Sequence, residues 1–225
     1  QIYSEIDITL VSEPGSSIGA ARNRGVQRAS HSWIAFTDAG CYPLEDWLEQ
    51  LMQTQQETHA SVVAGFYRGV AQNALQKAML PFVLVMPDQV DPTSFLPASR
   101  SMLIHSDTFI ENGGFPEHTA VSEDYGLARA LKDTLSSDKF SFAEEAIVLW
   151  QPRESIATFY KQLYAMARDD IILGNWRTKV LTIYARYAAL ILVSGVIGMI
   201  GSLVAGIGAA LILLTLYLTA AAARH

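Results

Sequence analysis

An acidic residue at the end of a short apolar run is the first feature of this chain that could carry chemistry. Residues 33–37 are apolar or β-favouring and lie among Gly and Pro signals, which predicts a buried strand that ends at Asp38. Ligands of open α/β sheets bind at the carboxyl ends of strands. A carboxylate there can meet a metal ion, a ribose or a phosphate, although a lone acid after a strand is as often a turn former.

A glycine-serine segment at residues 15–25 is the second feature, because it runs from a predicted loop into a predicted helix. Helix N-termini present free N–H groups and a partial positive charge, which favours phosphate. The glycine spacing is neither that of a Walker loop nor that of a dinucleotide-binding loop. Taken alone, the segment therefore indicates an ordinary turn at least as readily as a phosphate site.

Two adjacent acids, Glu123 and Asp124, form the third feature, in the first turn of a predicted helix. One interpretation is that a carboxylate faces a cleft as a general base. The other is an ordinary helix start, with Ser122 as N-cap and the acids stabilised by the helix dipole. Both interpretations stay open at the level of these residues.

The elements that must position these residues alternate along the chain. Apolar runs and helical periodicity predict a parallel or mixed sheet covered by helices. The predicted strands cover residues 6–12, 32–37, 61–67, 99–104 and 140–150, and the predicted helices cover 18–29, 44–57, 106–112, 122–133 and 155–176. Residues 72–97 begin with a short helix and continue into a proline-containing segment that the pattern leaves unassigned.

Composition excludes some classes of protein. The chain has 16 Lys and Arg against 22 Asp and Glu, a net charge of -6, whereas a nucleic-acid binder needs a basic face. Cys41 is the only cysteine, so there is no internal disulfide and no cysteine-rich metal site. The chain starts at Gln1 close to a predicted strand, and we expect it to be an N-terminally truncated part of a longer protein.

The C-terminal segment predicts a membrane hairpin. No charged residue lies between Arg186 and Arg224, and one helix of that length would be about 55 Å, longer than the ~30 Å hydrocarbon layer. Two helices that turn near residues 201–202 or 206–208 fit better, although one tilted span with an apolar tail is the alternative. The hairpin returns Arg224 to the side of the preceding basic residues, which predicts an integral membrane protein with the rest of the chain on the cytosolic side. The membrane that we expect is a bacterial inner membrane.

Four stretches of the chain together resemble family 2 glycosyltransferases of the GT-A fold. They lie within residues 8–170 and read GSSIGAARNRGVQRA, WIAFTDAGCYPLEDWLEQL, SRSMLIHSDTFIENGGFPE and SEDYGLARALK. The resemblance implies an α/β fold, a GT-A-like mixed sheet flanked by helices, followed by a C-terminal transmembrane helical hairpin. The expected division is a catalytic domain lacking its first strand at 1–152, an amphipathic interfacial helix region at 153–180 and the hairpin at 181–225. The helix of the middle region either lies in the membrane interface or packs on the domain.

The resemblance implies roles for individual residues. Asp38 stands at the first acid of the family's Asp-x-Asp motif, which meets the sugar nucleotide and its divalent metal, Mg²⁺ or Mn²⁺. Asp124 stands at the catalytic base, which deprotonates the acceptor hydroxyl during an inverting attack, with Glu123 as support. Arg22 and Asn23 stand in the family's Ala-Arg-Asn motif and are expected near the nucleotide. Gly114 and Phe115 match the family's Gly-Gly-Phe turn, near the acceptor.

Two positions depart from the family pattern. Gly40 stands where the second acid of Asp-x-Asp is usual, so the donor's diphosphate and waters would supply most oxygen ligands of the cation. Gln162 begins a Gln-x-x-Arg-Trp motif that lacks its arginine, and Arg168 is the expected substitute near a phosphate.

The resulting prediction is an inverting glycosyltransferase, a hexosyltransferase-type enzyme, that moves a sugar from a nucleotide-diphosphate sugar to a hydroxyl acceptor at the membrane. Its predicted partners are the nucleotide-sugar donor, a lipid-linked or envelope acceptor, and the lipid bilayer, with no nucleic acid. The family's uracil-reading acid would precede Gln1, so we expect this chain alone to lack part of the donor pocket and to be inactive. The alternatives are a nucleotidyltransferase and a catalytically inactive membrane scaffold.

Overall fold

The structure is a computed structural model that describes residues 7–12, 14–174 and 178–222. The chain divides into two units, Gln1–Leu173 and Gly174–His225. The strands are β1 (Trp33–Phe36), β2 (Cys41–Pro43), β3 (Val62–Gly69), β4 (Met102–His105) and β5 (Phe140–Trp150). The helices are α1 (Ile18–Arg28), α2 (Trp47–Thr58), α3 (Ala74–Val83), α4 (Ser106–Glu111), α5 (Glu123–Thr134), α6 (Ile156–Ile172), α7 (Thr178–Ile200) and α8 (Leu203–Ala222).

The first unit is built on one mixed sheet with the strand order β1-β4-β3-β5-β2. β3 and β5 pair in parallel, and the other neighbours pair antiparallel. The predicted α/β class with a mixed sheet is therefore confirmed. β5 pairs with β3 at both its start and its end, around an irregularity between Gly65 and Phe66, and its end pairs with β2 on the other edge.

Alternating side chains of the central strands fill a core on each face of the sheet. Val62 packs into the cluster that contains Phe115 and the apolar side of α5, whereas Val63 packs against Leu51 of α2. This period of two is the pattern of a strand buried on both faces. The sheet therefore lies between α1 and α5 on one side and α2 on the other.

One predicted strand is wrong and one strand escaped prediction. Residues 7–12 form no strand, and Ile8 and Leu10 are exposed, because none of the strands in the described part of the chain pairs with them. β2 is only three residues long and ends in Pro43, so its sequence carries no alternation that could have indicated it. The helix predicted at 155–176 is α6, and its N-cap is Ser155, whose Oγ accepts a hydrogen bond from Thr158 N–H at 3.2 Å.

The second unit contains two helices, α7 and α8, which are joined at Gly201-Ser202, one of the two predicted turning points. Gly206 faces Gly198 so closely that a Cβ on Gly206 would lie 2.8 Å from the Gly198 Cα. Small residues allow such an approach between helix backbones. A search of the described residues finds no helix with the length and apolarity that a membrane span requires. The membrane hairpin stays a prediction.

Candidate active site

One end of the sheet gathers the polar residues that sequence analysis placed apart. β4 runs antiparallel to β1 and β3, so the residues just before β4 lie beside the carboxyl ends of those strands, with Phe36 opposite Met102. The carboxyl end of β5 lies at the same end, because Trp150 pairs with the last residue of β3. Asp38 follows β1 and Ser99 and Arg100 precede β4, so all three meet at this end.

The turn after β1 explains why a second acid is missing. The Cys41 N–H donates to the Asp38 carbonyl oxygen at 3.0 Å, which closes a four-residue turn. Gly40 occupies the third position of that turn with a φ of +82°. A positive φ there favours glycine, and a residue with a Cβ would strain the turn. Gly40 therefore shapes the backbone that presents Asp38 and brings no ligand atom from a side chain.

Arg22 of α1 joins two of the predicted acids. Its Nη2 donates to Asp38 Oδ1 at 2.5 Å, and its Nη1 donates to Glu123 Oε1. The guanidinium also lies 5.4 Å from the centre of the Phe115 ring, a cation–π arrangement. Ser99 Oγ donates a further hydrogen bond to Asp38 Oδ1 at 3.2 Å. We call Arg22, Asp38, Ser99 and Glu123 the donor-side cluster, after the donor contact that the resemblance implies for Asp38.

Asn23, the neighbour of Arg22, holds the Gly-Gly-Phe turn. Its Nδ2 donates to the Phe115 carbonyl oxygen and its Oδ1 accepts from the Phe115 N–H, both at 2.9 Å. The side-chain amide thus pairs with the backbone as another strand would. Gly114 has a φ of +67°, and a Cβ there would lie 2.8 Å from Asn23 Oδ1. The structure places Asn23 on this turn, and its predicted role beside a nucleotide is untested.

Two glycines let helices approach the same turn. A Cβ on Gly19 of α1 would lie 2.3 Å from the Pro116 carbonyl oxygen, and a Cβ on Gly126 of α5 would lie 2.6 Å from Pro116 Cγ. Both distances are too short for real carbon contacts. α1 and α5 therefore pack against one turn because both carry glycine at the contact.

Asp124 lies in the first turn of α5 with a half-buried side chain. Its Oδ1 accepts a hydrogen bond from the Tyr125 N–H at 2.7 Å. Burial raises the pKa of Asp124 above its usual value, the Arg100 cation lowers it, and the carboxylate of Glu123 raises it; the net direction is upward. A carboxylate with a raised pKa is a stronger base than an exposed aspartate, as general-base catalysis requires.

The interpretation of Ser122 as a residue whose side chain caps α5 is wrong. Ser122 occupies the N-cap position, yet its side chain makes no capping hydrogen bond, and its Oγ is buried without a partner in the described ranges. Glu123 is buried as well, and its Oε2 has no partner among the same residues. The start of α5 is therefore held by other groups.

Arg100 is a charged residue of the site that sequence reasoning missed. Its guanidinium lies over the rings of Tyr67 and Trp150, at 5.2 Å and 5.3 Å from their centres. Burial lowers the pKa of Arg100, but the nearby carboxylates of Asp124 and Asp38 raise it, and the net direction is upward. Arg100 is therefore a permanent cation that acts on both predicted acids. It lies within one of the four stretches that carry the resemblance, but no local pattern marks its role.

Asp169 of α6 is the second charged residue that was missed in this role. Its Oδ2 accepts hydrogen bonds from the N–H groups of Ala120, Val121 and Ser122, at 2.8, 2.7 and 3.2 Å. Those residues lead directly into Glu123 and Asp124. The preceding residue, Arg168, has an exposed side chain and lies outside the donor-side cluster, so its predicted phosphate contact stays a prediction.

Residues 1–107 match the family model described as Glycosyl transferase family 2. Over these residues, just under half of its length, the chain is similar to family 2 glycosyltransferases. The matched residues include Arg22, Asp38 and Arg100, whereas Asp124 and Asp169 lie beyond them. The match agrees with the GT-A-like fold that the resemblance implied.

A curated relative of the chain is "Glycosyltransferase AglE" of Haloferax volcanii, which is 23% identical over 172 residues. That alignment covers 75% of this chain and 55% of the relative, so the chain spans about half the length of the protein it matches.

Two crystal structures of residues 1–349 of S. aureus TarS are similar in fold to this chain. One is 18% identical with a TM-score of 0.47 and covers 60% of this chain and 40% of that one. The other, in complex with UDP-GlcNAc, is 16% identical with the same TM-score of 0.47 and covers 62% and 40%.

The acidic residues in the described part of the chain do not form a metal cage. No group of three His, Cys, Asp or Glu side chains that could hold a metal occurs among the described residues. Asp38 already accepts from Arg22 and Ser99. The side chains therefore do not fit a metal ion held by the protein alone.

A surface cleft of about 410 Å³ lies beside Asn23 and does not include Asp38 or Asp124. It is lined by Ser16, Ala20, Asn23, Arg24, Gln27 and Glu117.

Proposed function

We propose that this protein transfers a sugar from a nucleotide-diphosphate sugar to a hydroxyl acceptor, with inversion at the anomeric carbon. The observation that carries the proposal is the Arg22 guanidinium, which hydrogen-bonds to both Asp38 and Glu123 and so brings the donor-side acid and the Glu123-Asp124 pair to one end of the sheet. The family 2 match of residues 1–107 supports the sugar-transfer class.

Asp124 is the base in this proposal. Its carboxylate takes the proton of the acceptor hydroxyl while the hydroxyl oxygen attacks the anomeric carbon from the face opposite the leaving group. The bond from that carbon to the phosphate oxygen breaks, and the nucleoside diphosphate leaves with the bonding electrons. Glu123 is not assigned this proton, because its side chain is buried away from an acceptor and its Oε1 accepts from Arg22. Glu123 instead holds the cation that also binds Asp38.

The donor side of the proposal rests on Asp38 and two cations. Arg22 contacts Asp38 directly, and the positive charge of Arg100 acts on Asp38 and Asp124. A nucleoside diphosphate carries several negative charges, and arginine binds phosphate with a planar pair of donors. Gly40 gives the donor free access to the turn, since nothing lies within 4 Å of the Cβ that Gly40 lacks. Arg168 is proposed to approach a phosphate from α6.

A divalent cation is proposed to arrive with the donor. Mg²⁺ usually keeps several waters and binds through one or two carboxylates together with substrate phosphates. Asp38 would be the side-chain ligand, and the diphosphate and waters would supply most of the other oxygen ligands. The cation would neutralise charge on the leaving group. Titration of Mn²⁺ by calorimetry should give weak binding to the protein alone and tight binding when UDP-GlcNAc is present; equal binding in both would contradict this arrangement.

The acceptor and the location of the enzyme are also part of the proposal. We propose a lipid-linked or envelope acceptor, a catalytic domain on the cytosolic side and a lipid bilayer beside the second unit. Support comes from the uncharged stretch between Arg186 and Arg224 and from exposed apolar side chains on α7 and α8, among them Ile191, Met199, Val204 and Leu211. Fractionation of cells should recover the full-length protein with membranes, and recovery in the soluble fraction would refute this location.

The direct experiment uses the full-length protein with a panel of nucleotide sugars that includes UDP-GlcNAc, and with a lipid extract as acceptor source. Asp124→Asn should lower kcat by about a hundredfold to ten-thousandfold, the usual contribution of a positioned base. It should leave donor affinity unchanged, whereas Asp38→Asn should weaken it. Asp133→Asn is the matched control, because Asp133 is an exposed acid at the other end of α5.

Three results would overturn the proposal. If Asp124→Asn transfers sugar at the wild-type rate, Asp124 is not the base. Release of pyrophosphate in place of a nucleoside diphosphate indicates a nucleotidyltransferase. Failure of every nucleotide sugar to bind, with and without Mn²⁺, indicates a scaffold without catalytic activity.

A further inference from the structure

The contact between α6 and the start of α5 is made by one buried carboxylate. Asp169 lies in the last turn of α6 and its side chain is 0% exposed. Its Oδ2 accepts three hydrogen bonds from the consecutive N–H groups of residues 120–122, which we call the amide nest. Successive amides that point at one oxygen form an anion-binding concavity. Here the anion is a side chain that lies 47 residues beyond Ser122.

The amide nest determines where α5 begins. The Ser122 side chain makes no capping hydrogen bond, and the nest ends at Ser122, the residue before Glu123. A carboxylate near the N-terminus of a helix is also favoured by the helix dipole. The first turn of α5 is therefore fixed from outside by α6, and that turn carries Asp124.

Burial of the Asp169 carboxylate costs free energy that a contact between apolar side chains would avoid. Its Oδ1 is buried and has no hydrogen-bond partner within the described part of the chain. A buried polar atom without a partner costs free energy. The hydrogen bonds to Oδ2 offset this cost, and they are charge-assisted, which makes them stronger and shorter than neutral ones.

From these contacts we infer that Asp169 is a positioning residue for Asp124. Its carboxylate gathers the amide nest, sets the direction in which α5 leaves the loop, and so holds the Asp124 carboxylate where the acceptor hydroxyl must meet it. The inference rests on the proposed function, because it takes Asp124 as the base. It predicts that loss of Asp169 lowers turnover while donor binding, which depends on the donor-side cluster, is retained.

The test compares Asp169→Asn with Ser155→Ala in the full-length protein. Ser155 caps the other end of the same helix, and loss of a cap destabilises a helix without touching the nest. Hydrogen–deuterium exchange is read at residues 120–122, and kcat and donor KM are measured with UDP-GlcNAc as probe, or with whichever nucleotide sugar of the panel gives transfer. Asp169→Asn should speed exchange in the nest and lower kcat by about tenfold to a hundredfold, since small displacements of a catalytic group have effects of that size. Ser155→Ala should do neither.

The outcomes separate the inference from the proposed function. Wild-type kcat in Asp169→Asn, or equal losses of kcat in both variants at equal melting temperature, would overturn the positioning role while leaving Asp124 as base. Transfer that survives Asp124→Asn would overturn the base assignment and the positioning role with it. If Asp169→Asn does not fold, Asp169→Ser leaves room for a water between helix and loop, and the same outcomes apply.

Discussion

The proposed donor side and the proposed base side of the candidate site are stabilised by groups of opposite charge. On the donor side, a cation binds acids: Arg22 donates to Asp38 and Glu123. On the base side, an acid binds amides: Asp169 accepts from the backbone before Asp124. The contacts on the donor side run from side chain to side chain, so each partner can be changed by a single substitution. The contacts on the base side run from one side chain to the backbone of a loop.

The difference in burial makes the two sides respond differently to salt and to charged ligands. The Arg22 and Asp38 side chains keep 19% and 24% of their exposure, whereas Asp169 is fully buried. Salt screens exposed charges much more than buried ones. We conclude that the donor side can respond to ions and to a charged ligand, while the base side keeps its geometry.

The largest effect is expected from Arg22→Met, which removes the shared cation and leaves two carboxylates close together. Breaking a partly buried, hydrogen-bonded charge pair should cost about 2–3 kcal/mol in the free energy of unfolding and weaken donor binding by tenfold or more. Urea denaturation and donor titration measure the two effects. Arg24→Met, on the exposed side of the same helix, should change neither, and equal effects in both variants would refute the bridging role of Arg22.

Arg100→Met should have a smaller effect that depends on pH. Arg100 lowers the pKa of Asp124, against a net upward shift caused first by burial, so removal of Arg100 should raise that pKa further. The base acts when deprotonated, and turnover should therefore fall at a higher pH than in the wild type as the solution is acidified. The measurement is kcat against pH, with Arg153→Met as an exposed control. If kcat fell at the same pH in Arg100→Met and in the wild type on acidification, Arg100 would not act on Asp124.

The smallest effect is expected from the glycine pair of the turn that Asn23 holds, near the proposed acceptor. Gly113 and Gly114 both have positive φ, at +81° and +67°, but a Cβ would meet a close neighbour only at Gly114, where it would lie 2.8 Å from Asn23 Oδ1. Gly113→Ala should therefore cost about 1 kcal/mol of backbone strain, and Gly114→Ala about 1 kcal/mol more. Chemical denaturation measures both. Equal losses would mean that Asn23 and the turn move apart at no cost to accommodate the Cβ of Gly114→Ala.

Sequence patterns predicted the elements whose residues repeat regularly. α1, β1, β5 and α5 lie within one or two residues of the predicted ranges, because an apolar face or an apolar run defines each of them. The strand predicted at 6–12 was wrong, since a strand is defined by its partner and no described strand pairs with residues 7–12.

The contacts that organise the site could not be read from local patterns. Asp38 and Asp124 were named from the resemblance, but the Arg22 contact to Glu123 joins residues 101 positions apart. Arg100 and Asp169 have no periodic or motif signal of their own, and their roles depend on which rings and amides the fold brings to them.

The turn that presents Asp38 also contains the chain's only thiol. Cys41 is half-buried, and burial raises the pKa of its thiol, with a further upward contribution from Asp38. Formation of the reactive thiolate therefore needs a more alkaline solution than an exposed cysteine requires. A single fluorophore could thus be attached beside the donor-side acid of the unmodified chain, and its emission would report when a ligand occupies that turn.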